Sequence, residues 1–165
     1  MARKPLLGLR HQPGRAALAL FRMPLRLYRS GRGTVLGHTF LMFVHVGRVT
    51  GRRHEAVAMV LRFDEQTREA VICSAWGPNT DWMRNLRANP ACEVRIGGDT
   101  YMPAQRFLSE EEACAVAREF RRRHPWRLRL LRVVLGWENL GDDEALRRFV
   151  TARPFVAFRP SSGNG

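Results

Sequence analysis

Apolar residues run without a break from Phe40 to Val46, which suits a strand buried on both faces and is too short for a helix. Glu55–Phe63 and Glu69–Ala75 read as two further strands, and the polar Asp64–Arg68 between them has the length of a hairpin connector. Cys92–Ile96 and Thr100–Phe107 form a hairpin about Gly97-Gly98-Asp99. Pro103 has no N–H to give to a ladder, so the second arm belongs at a sheet edge. Pro154–Arg159 is the last strand. Helical signals fall between these runs. Asp81–Ala88 starts after Gly77-Pro78, with Asn79 or Thr80 placed to cap it, and stops before Asn89-Pro90. Ser109 and Glu112 make a capping box, opening a helix that sets Ala113, Val116, Ala117 and Phe120 on one face and ends near His124-Pro125. Trp126–Leu135, with Arg127, Arg129 and Arg132 outward, and Asp142–Val150 read as two more helices. At the other end, Ala16–Tyr28 interleaves Leu18, Leu20, Phe21, Leu25, Leu27 and Tyr28 with arginines, an amphipathic helix bent near Pro24. The order predicts an α+β chain built as a closed, six-stranded antiparallel barrel with flanking helices.

Composition narrows the surroundings of this fold. A chain of 165 residues with 45% hydrophobic residues fills one core. Its formal charge is +13, Lys4 is its only lysine, and no acid precedes Glu55. Such a balance attracts nucleic acid, anionic lipid or polyanionic small molecules. There is no recognition motif, and the aromatics are not spaced as stacking platforms, which argues against nucleic acid. Cys73, Cys92 and Cys114 are an odd number at wide spacings, read as reduced thiols and as neither a metal site nor a disulfide framework. No apolar run reaches the length of a membrane span, and no signal-peptide pattern is present. The expected location is cytoplasmic. The basic segment 1–33 either covers an open end of the barrel or makes peripheral contact with anionic lipid at the inner face of the membrane.

Candidate chemistry gathers at Gly47–His54, Gly-Arg-Val-Thr-Gly-Arg-Arg-His, between the first two strands. Two glycines let the backbone turn sharply, and Arg48, Arg52, Arg53 and His54 bring cationic donors to the same bend. Guanidinium forks match the paired oxygens of phosphate and carboxylate, so the bend suits an anion; the competing reading is a solvated hairpin tip. His45 reads as a hydrogen-bonded core residue. Trp76 and Trp82 are either core aromatics or pocket walls, and Asn85 caps backbone groups or fixes a pocket. The arginines from Arg118 to Arg132 read as a solvated face. No Ser-His-Asp arrangement, carboxylate pair or metal-ligand cluster is evident.

Three segments together, Gly47-Arg-x-Thr-Gly-Arg52, Ser74-Ala-Trp-Gly-Pro78 and Asp81-Trp-x-Arg-Asn-Leu-Arg-Ala-Asn-Pro90, resemble the deazaflavin-dependent nitroreductase family of actinobacteria. The likeness runs from about Leu25 to Pro160. It implies a split β-barrel related to FMN-binding oxidoreductases, with residues 34–160 as the deazaflavin-binding domain; the polar residues 161–165 read by composition as a disordered tail. It also implies coenzyme F-420, an 8-hydroxy-5-deazaflavin with a phosphate and an oligoglutamate tail, as hydride donor to a quinone, nitroaromatic or other electron-poor acceptor. Carried over by residue, Arg48, Val49, Thr50, Gly51, Arg52 and His54 would hold the phosphate and glutamate end. Glu55, Ala56, Val57, Ala58 and Met59 would run beside the ring. Ser74, Ala75, Trp76 and Gly77 would approach the phosphate and ribityl chain, and Asp81, Trp82, Met83, Arg84 and Asn85 would close the pocket. Ser74 is the weak candidate for a proton donor, since the coenzyme carries the redox chemistry itself. Val49 stands where many members have lysine, and the tyrosines that nitroimidazole-activating members set over the ring are not matched, for Tyr28 and Tyr101 are the only two. FMN is the alternative cofactor, and a non-catalytic coenzyme-binding or membrane-surface module the alternative role. The protein is expected to be a monomer or homodimer.

Overall fold

The computed structural model describes residues 15–162. Helix α1 (Arg15–Arg29) leads through a short 3-10 turn (Gly33–Leu36) into strands β1 (Phe40–Val46), β2 (Arg53–Met59), β3 (Arg62–Phe63) and β4 (Ala70–Cys73). Helix α2 (Asp81–Ala88) precedes β5 (Glu93–Ile96), β6 (Asp99–Tyr101) and β7 (Pro103–Phe107). Helices α3 (Glu110–Arg123), α4 (Pro125–Leu135) and α5 (Asp143–Ala152) and strand β8 (Phe155–Pro160) complete the chain.

The strands form two four-stranded antiparallel sheets, β2-β1-β5-β6 and β3-β4-β8-β7, in place of the expected closed barrel of six. Two stretches that read as single strands each break and change sheets. In the first, the Val60 N–H donates to Thr39 O (2.9 Å), while the next N–H, that of Leu61, donates to Val71 O in the other sheet (2.8 Å). In the second, β6 ends at Tyr101 and β7 begins at Pro103, whose missing N–H cannot extend the β6 ladder. β7 is an edge strand, as Pro103 requires.

Alternation along the strands accounts for three packed layers. Leu41 and Phe43 of β1 enter the core between the sheets, with Ile72, Val94, Ile96, Val156 and Phe158. Met42 and Val44, on its other face, lie under Tyr28 and Leu25 of α1. That is why β1 is apolar from Phe40 to Val44: one face meets a sheet and the other a helix. The Tyr28 hydroxyl donates to Phe40 O (2.8 Å), and a Cβ at Gly33 would run into the Tyr28 ring. Val71, Cys73, Phe155 and Ala157 face the third layer, where α3, α4 and α5 contribute Val116, Phe120, Leu131, Leu146 and Phe149.

Local signals hold where they are short-range. The capping box forms, with the Glu112 N–H donating to Ser109 Oγ (3.2 Å) and the Ser109 N–H to Glu112 Oε2 (2.9 Å). The outward arginine face does not survive whole. Arg127 is buried, and its Nη2 donates to Thr39 O (3.3 Å) and Val60 O (3.2 Å), carbonyls exposed by the strand crossing. Arg121 turns to Leu140 O (2.9 Å) and Asp143 (3.2 Å), joining α3 to α5. The thiols of Cys73, Cys92 and Cys114 are free. Among the described residues no helix is long and apolar enough to cross a membrane.

Candidate functional site

The bend between β1 and β2 closes on itself. The Gly47 N–H donates to Arg52 O (2.8 Å), the Gly51 N–H to Gly47 O (2.8 Å), and the Arg52 N–H to Thr50 Oγ1 (3.3 Å). Both glycines are needed. Gly51 has φ +67°, in the left-handed region, and a Cβ on Gly47 would stand 2.6 Å from Thr50 Oγ1 and 3.3 Å from His54 Nε2. Among the described residues the N–H groups of Val49 and Thr50 and the Arg52 guanidinium have no partner. Consecutive free N–H groups beside a cation are an anion cradle.

Helix α2 packs alongside, and Asn85, 4% exposed, ties it to the bend. Its Oδ1 accepts from the Arg48 N–H (3.0 Å) and from Arg48 Nη1 (2.9 Å), so its Nδ2 is left to donate to His45 Nδ1 (3.1 Å). That assignment fixes the imidazole tautomer, with the proton on Nε2. Burial first, then the neighbouring His54, pushes the His45 pKa down to about 4 against a smaller pull from Asp81, so the ring is neutral near pH 7. His45 and His54 stack at 5.5 Å between centroids, as the register that pairs them across β1 and β2 dictates.

These groups line a cleft of about 420 Å³ whose walls are His45, Gly47–Thr50, His54–Ala56, Asp81, Trp82 and Asn85. The acids in it hold little of its charge. Asp81 Oδ1 reaches Arg48 loosely, at 3.4 and 3.5 Å, and is largely exposed; such a pair is worth about 0–1 kcal/mol. Glu55 pairs with Arg29 of α1 instead (2.7 Å). Trp82 also walls a second, apolar space, with Val57, Ala58, Met59, Leu61, Cys73, Ala75 and Trp76 on one side and Leu131, Leu135 and Trp137 on the other. This slot is narrow, about 30 Å³. Burial pushes the Cys73 thiol up to about 12, so it serves there as an apolar wall.

The sequence-stated site residues therefore divide. Arg48, Val49, Thr50, His54, Glu55, Ala56, Asp81, Trp82 and Asn85 surround the cleft, and Val57, Ala58, Met59, Ala75, Trp76 and Trp82 surround the slot. Gly51 and Arg52 complete the bend without lining the cleft, and Arg52 is exposed. Met83 points into the core between the sheets, and Arg84 is exposed on α2. Ser74 is fully buried; its Oγ donates to Gly77 O and meets Thr80 Oγ1 at 3.2 Å, holding the loop in which Gly77 takes φ +94°. That loop is pinned from outside as well, Ala75 O accepting from Arg153 Nε (3.1 Å) and Trp137 Nε1 (3.4 Å). His45, Leu61, Cys73, Leu131, Leu135 and Trp137 were not foreseen as walls. His45 carried a signal, its register opposite His54; Leu61 and Cys73 lie in strands read as core, and the other three in segments with no motif. Among the described residues no three His, Cys, Asp or Glu side chains stand together as a metal site.

The two-sheet frame thus carries a cationic cleft and a narrow apolar slot that share Trp82 as a wall. Residues 20–126 match the F420H(2)-dependent quinone reductase family, and the chain belongs to it. It is accordingly an oxidoreductase that uses coenzyme F-420. The fold is similar to that of an F420-H2 dependent reductase, FDR-A, with a TM-score of 0.50 and 16% identity, over 75% of this chain and 96% of that one. A pyridoxamine 5′-phosphate oxidase-related, FMN-binding protein from Nostoc punctiforme resembles it at a TM-score of 0.41 and 15% identity, over 92% and 82% of the two chains. The heme storage protein HutZ from Vibrio cholerae does so at 0.49 and 12%, over 83% and 92%. A comparison with curated proteins gave no match.

Proposed function

We propose that the cleft at Gly47–His54 receives the phosphate and oligoglutamate end of reduced coenzyme F-420, that the ring lies toward Trp82 and Val57–Met59, and that the acceptor is a quinone. The observation that carries this reading is the sharing of Trp82 by a cationic cleft and an apolar slot. The bound coenzyme supplies the hydride. The chain's residues bind and orient. The N–H groups of Val49 and Thr50, the guanidinium of Arg52 and the Arg48 side chain steadied by Asn85 meet a tail of several negative charges, each charge-assisted hydrogen bond worth roughly 1.5–3 kcal/mol. The neutral His45, with its proton on Nε2, is a donor to the cleft that adds no charge. Ser74 we assign to holding its loop, since its hydroxyl is engaged there.

A slot of about 30 Å³ has room for a water rather than a tricyclic ring, so ring entry moves a wall. The wall formed by Leu131, Leu135 and Trp137 is the one that moves, because Val57–Met59 opposite are fixed in the β2 ladder. Titration of the protein with reduced coenzyme F-420 and with reduced FMN, followed by turnover with a quinone and a nitroaromatic, tests the reading. Tighter binding of the deazaflavin and turnover with the quinone are expected. Tighter binding of FMN, or deazaflavin binding with no turnover, refutes it.

A further inference from the structure

The outer face of α4 carries apolar side chains where a water-soluble helix has polar ones. Trp126 is 66% exposed, Leu130 39% and Val133 85%, and their spacing of four and three residues puts them on one stripe. Arg129 is exposed within it. The opposite face is ordinary: Leu128 and Leu131 are buried in the core. Three exposed apolar groups in register along one helix form a patch, unlike scattered surface hydrophobics.

Charge identifies what covers the patch. No acid occurs between Glu119 and Glu138, so α4 has none. Helix α1, which packs against α4, has none either, and it exposes Arg22, Met23 and Arg26. A second copy of the chain docking by a two-fold axis would set Arg129 and its neighbours against their own copies with no acid to relieve them. An anionic lipid surface meets both requirements at once, headgroups for the arginines and the acyl boundary for Trp126, Leu130 and Val133. Trp at that boundary keeps its indole N–H in the headgroup layer while burying its ring.

We propose that α4 lies on an anionic bilayer by its Trp126–Leu130–Val133 stripe. The stripe falls at and beyond the end of the family match at residue 126. It is separate from residues 1–14, which lie outside the described residues. The same helix presents Leu131 and Leu135 to the slot on its inner side, so one helix diameter, about 10 Å, separates lipid from the proposed ring site. That consequence rests on the quinone reading; the membrane contact itself does not.

Cosedimentation of the full chain with phosphatidylcholine vesicles, with and without phosphatidylglycerol, tests the proposal. The expected result is binding only to the anionic vesicles, weakened about ten-fold or more by the triple variant Trp126→Ser, Leu130→Ser, Val133→Ser, and lost with Arg129→Glu as well. All four positions are exposed, so the melting temperature and coenzyme F-420 affinity should stay at wild-type values. Equal vesicle binding by wild type and triple variant overturns the proposal, as does absence of binding by the wild type. So does sedimentation showing a wild-type dimer that the triple variant makes monomeric. Vesicle binding with no quinone turnover leaves this proposal standing and removes the other.

Discussion

Asn85→Ala is the substitution that most directly tests how the cleft is held. The carboxamide joins three groups from two other places in the chain: the Arg48 N–H, the Arg48 guanidinium and His45 Nδ1. Each ordinary hydrogen bond contributes about 0.5–1.5 kcal/mol net, and leaving a buried polar atom such as His45 Nδ1 unpartnered costs about 1–3 kcal/mol. With the Arg48 groups near solvent and free to rehydrate, the sum is roughly 2–4 kcal/mol. For a domain of this size that lowers the melting temperature by roughly 5–15 °C. Coenzyme F-420 affinity should fall about ten-fold at low salt, because Arg48 loses the group that aims it.

Asn85→Asp separates the two roles of the side chain. A carboxylate still accepts from both Arg48 groups but can no longer donate to His45. The new anion raises the His45 pKa, and the protonated ring then donates to it. Moving the folded pKa up from about 4 toward the unfolded value near 6.5 shrinks the stability lost on acidification. Asn85→Asp should therefore lose less stability than the wild type as pH falls from 8 to 5.5. Thermal unfolding by circular dichroism across pH, with fluorescence titration of the coenzyme, measures both effects. Asn85→Ala melting within about 1 °C of wild type, with unchanged affinity, would refute the network as the support of the cleft.

In the wild type, His45 has a folded pKa of about 4 against 6.5 unfolded, so its contribution is complete above pH 6.5 and is lost as pH falls toward 4. The loss is about 3 kcal/mol, and His45→Gln should flatten the stability curve over that window. Arg48→Ala with Arg52→Ala should weaken coenzyme F-420 about ten-fold or more at low salt and reduce the salt dependence of binding; an unchanged salt dependence would place the tail elsewhere. Arg127→Met removes the guanidinium donor from Val60 O and the second of two donors from Thr39 O, which keeps the Val60 N–H, and should cost about 1–3 kcal/mol in denaturant unfolding, with coenzyme affinity retained by the folded fraction.

What the sequence made legible was local, and what it concealed was contact across distance. Phe40–Val46, the glycine bend, α2 and the Ser109–Glu112 box announce themselves because each is decided by residues within a few positions of one another. The break at Val60-Leu61 does not, because both residues are apolar and suit a strand; only the pairing of one with Thr39 and the next with Val71 separates the sheets. Arg127 was misplaced for the same reason. Arginine on a helix reads as outward, yet the crossing leaves two carbonyls facing α4, and a guanidinium answers them from 67 and 88 residues away. The site repeats the pattern. Arg48 and Asn85 were both named as pocket residues, but their direct bond, and the placing of His45 behind it, depend on α2 being laid against the bend. The same reasoning makes the slot's outer wall the part that sequence least constrains. Leu131, Leu135 and Trp137 reach it from a helix and loop beyond the matched residues, so relatives that share the bend and α2 are free to differ in what they admit over the ring. Under the proposed placement of the coenzyme, acceptor choice in this chain is set by α4 and Trp137, and coenzyme choice by Gly47–His54 and Asn85.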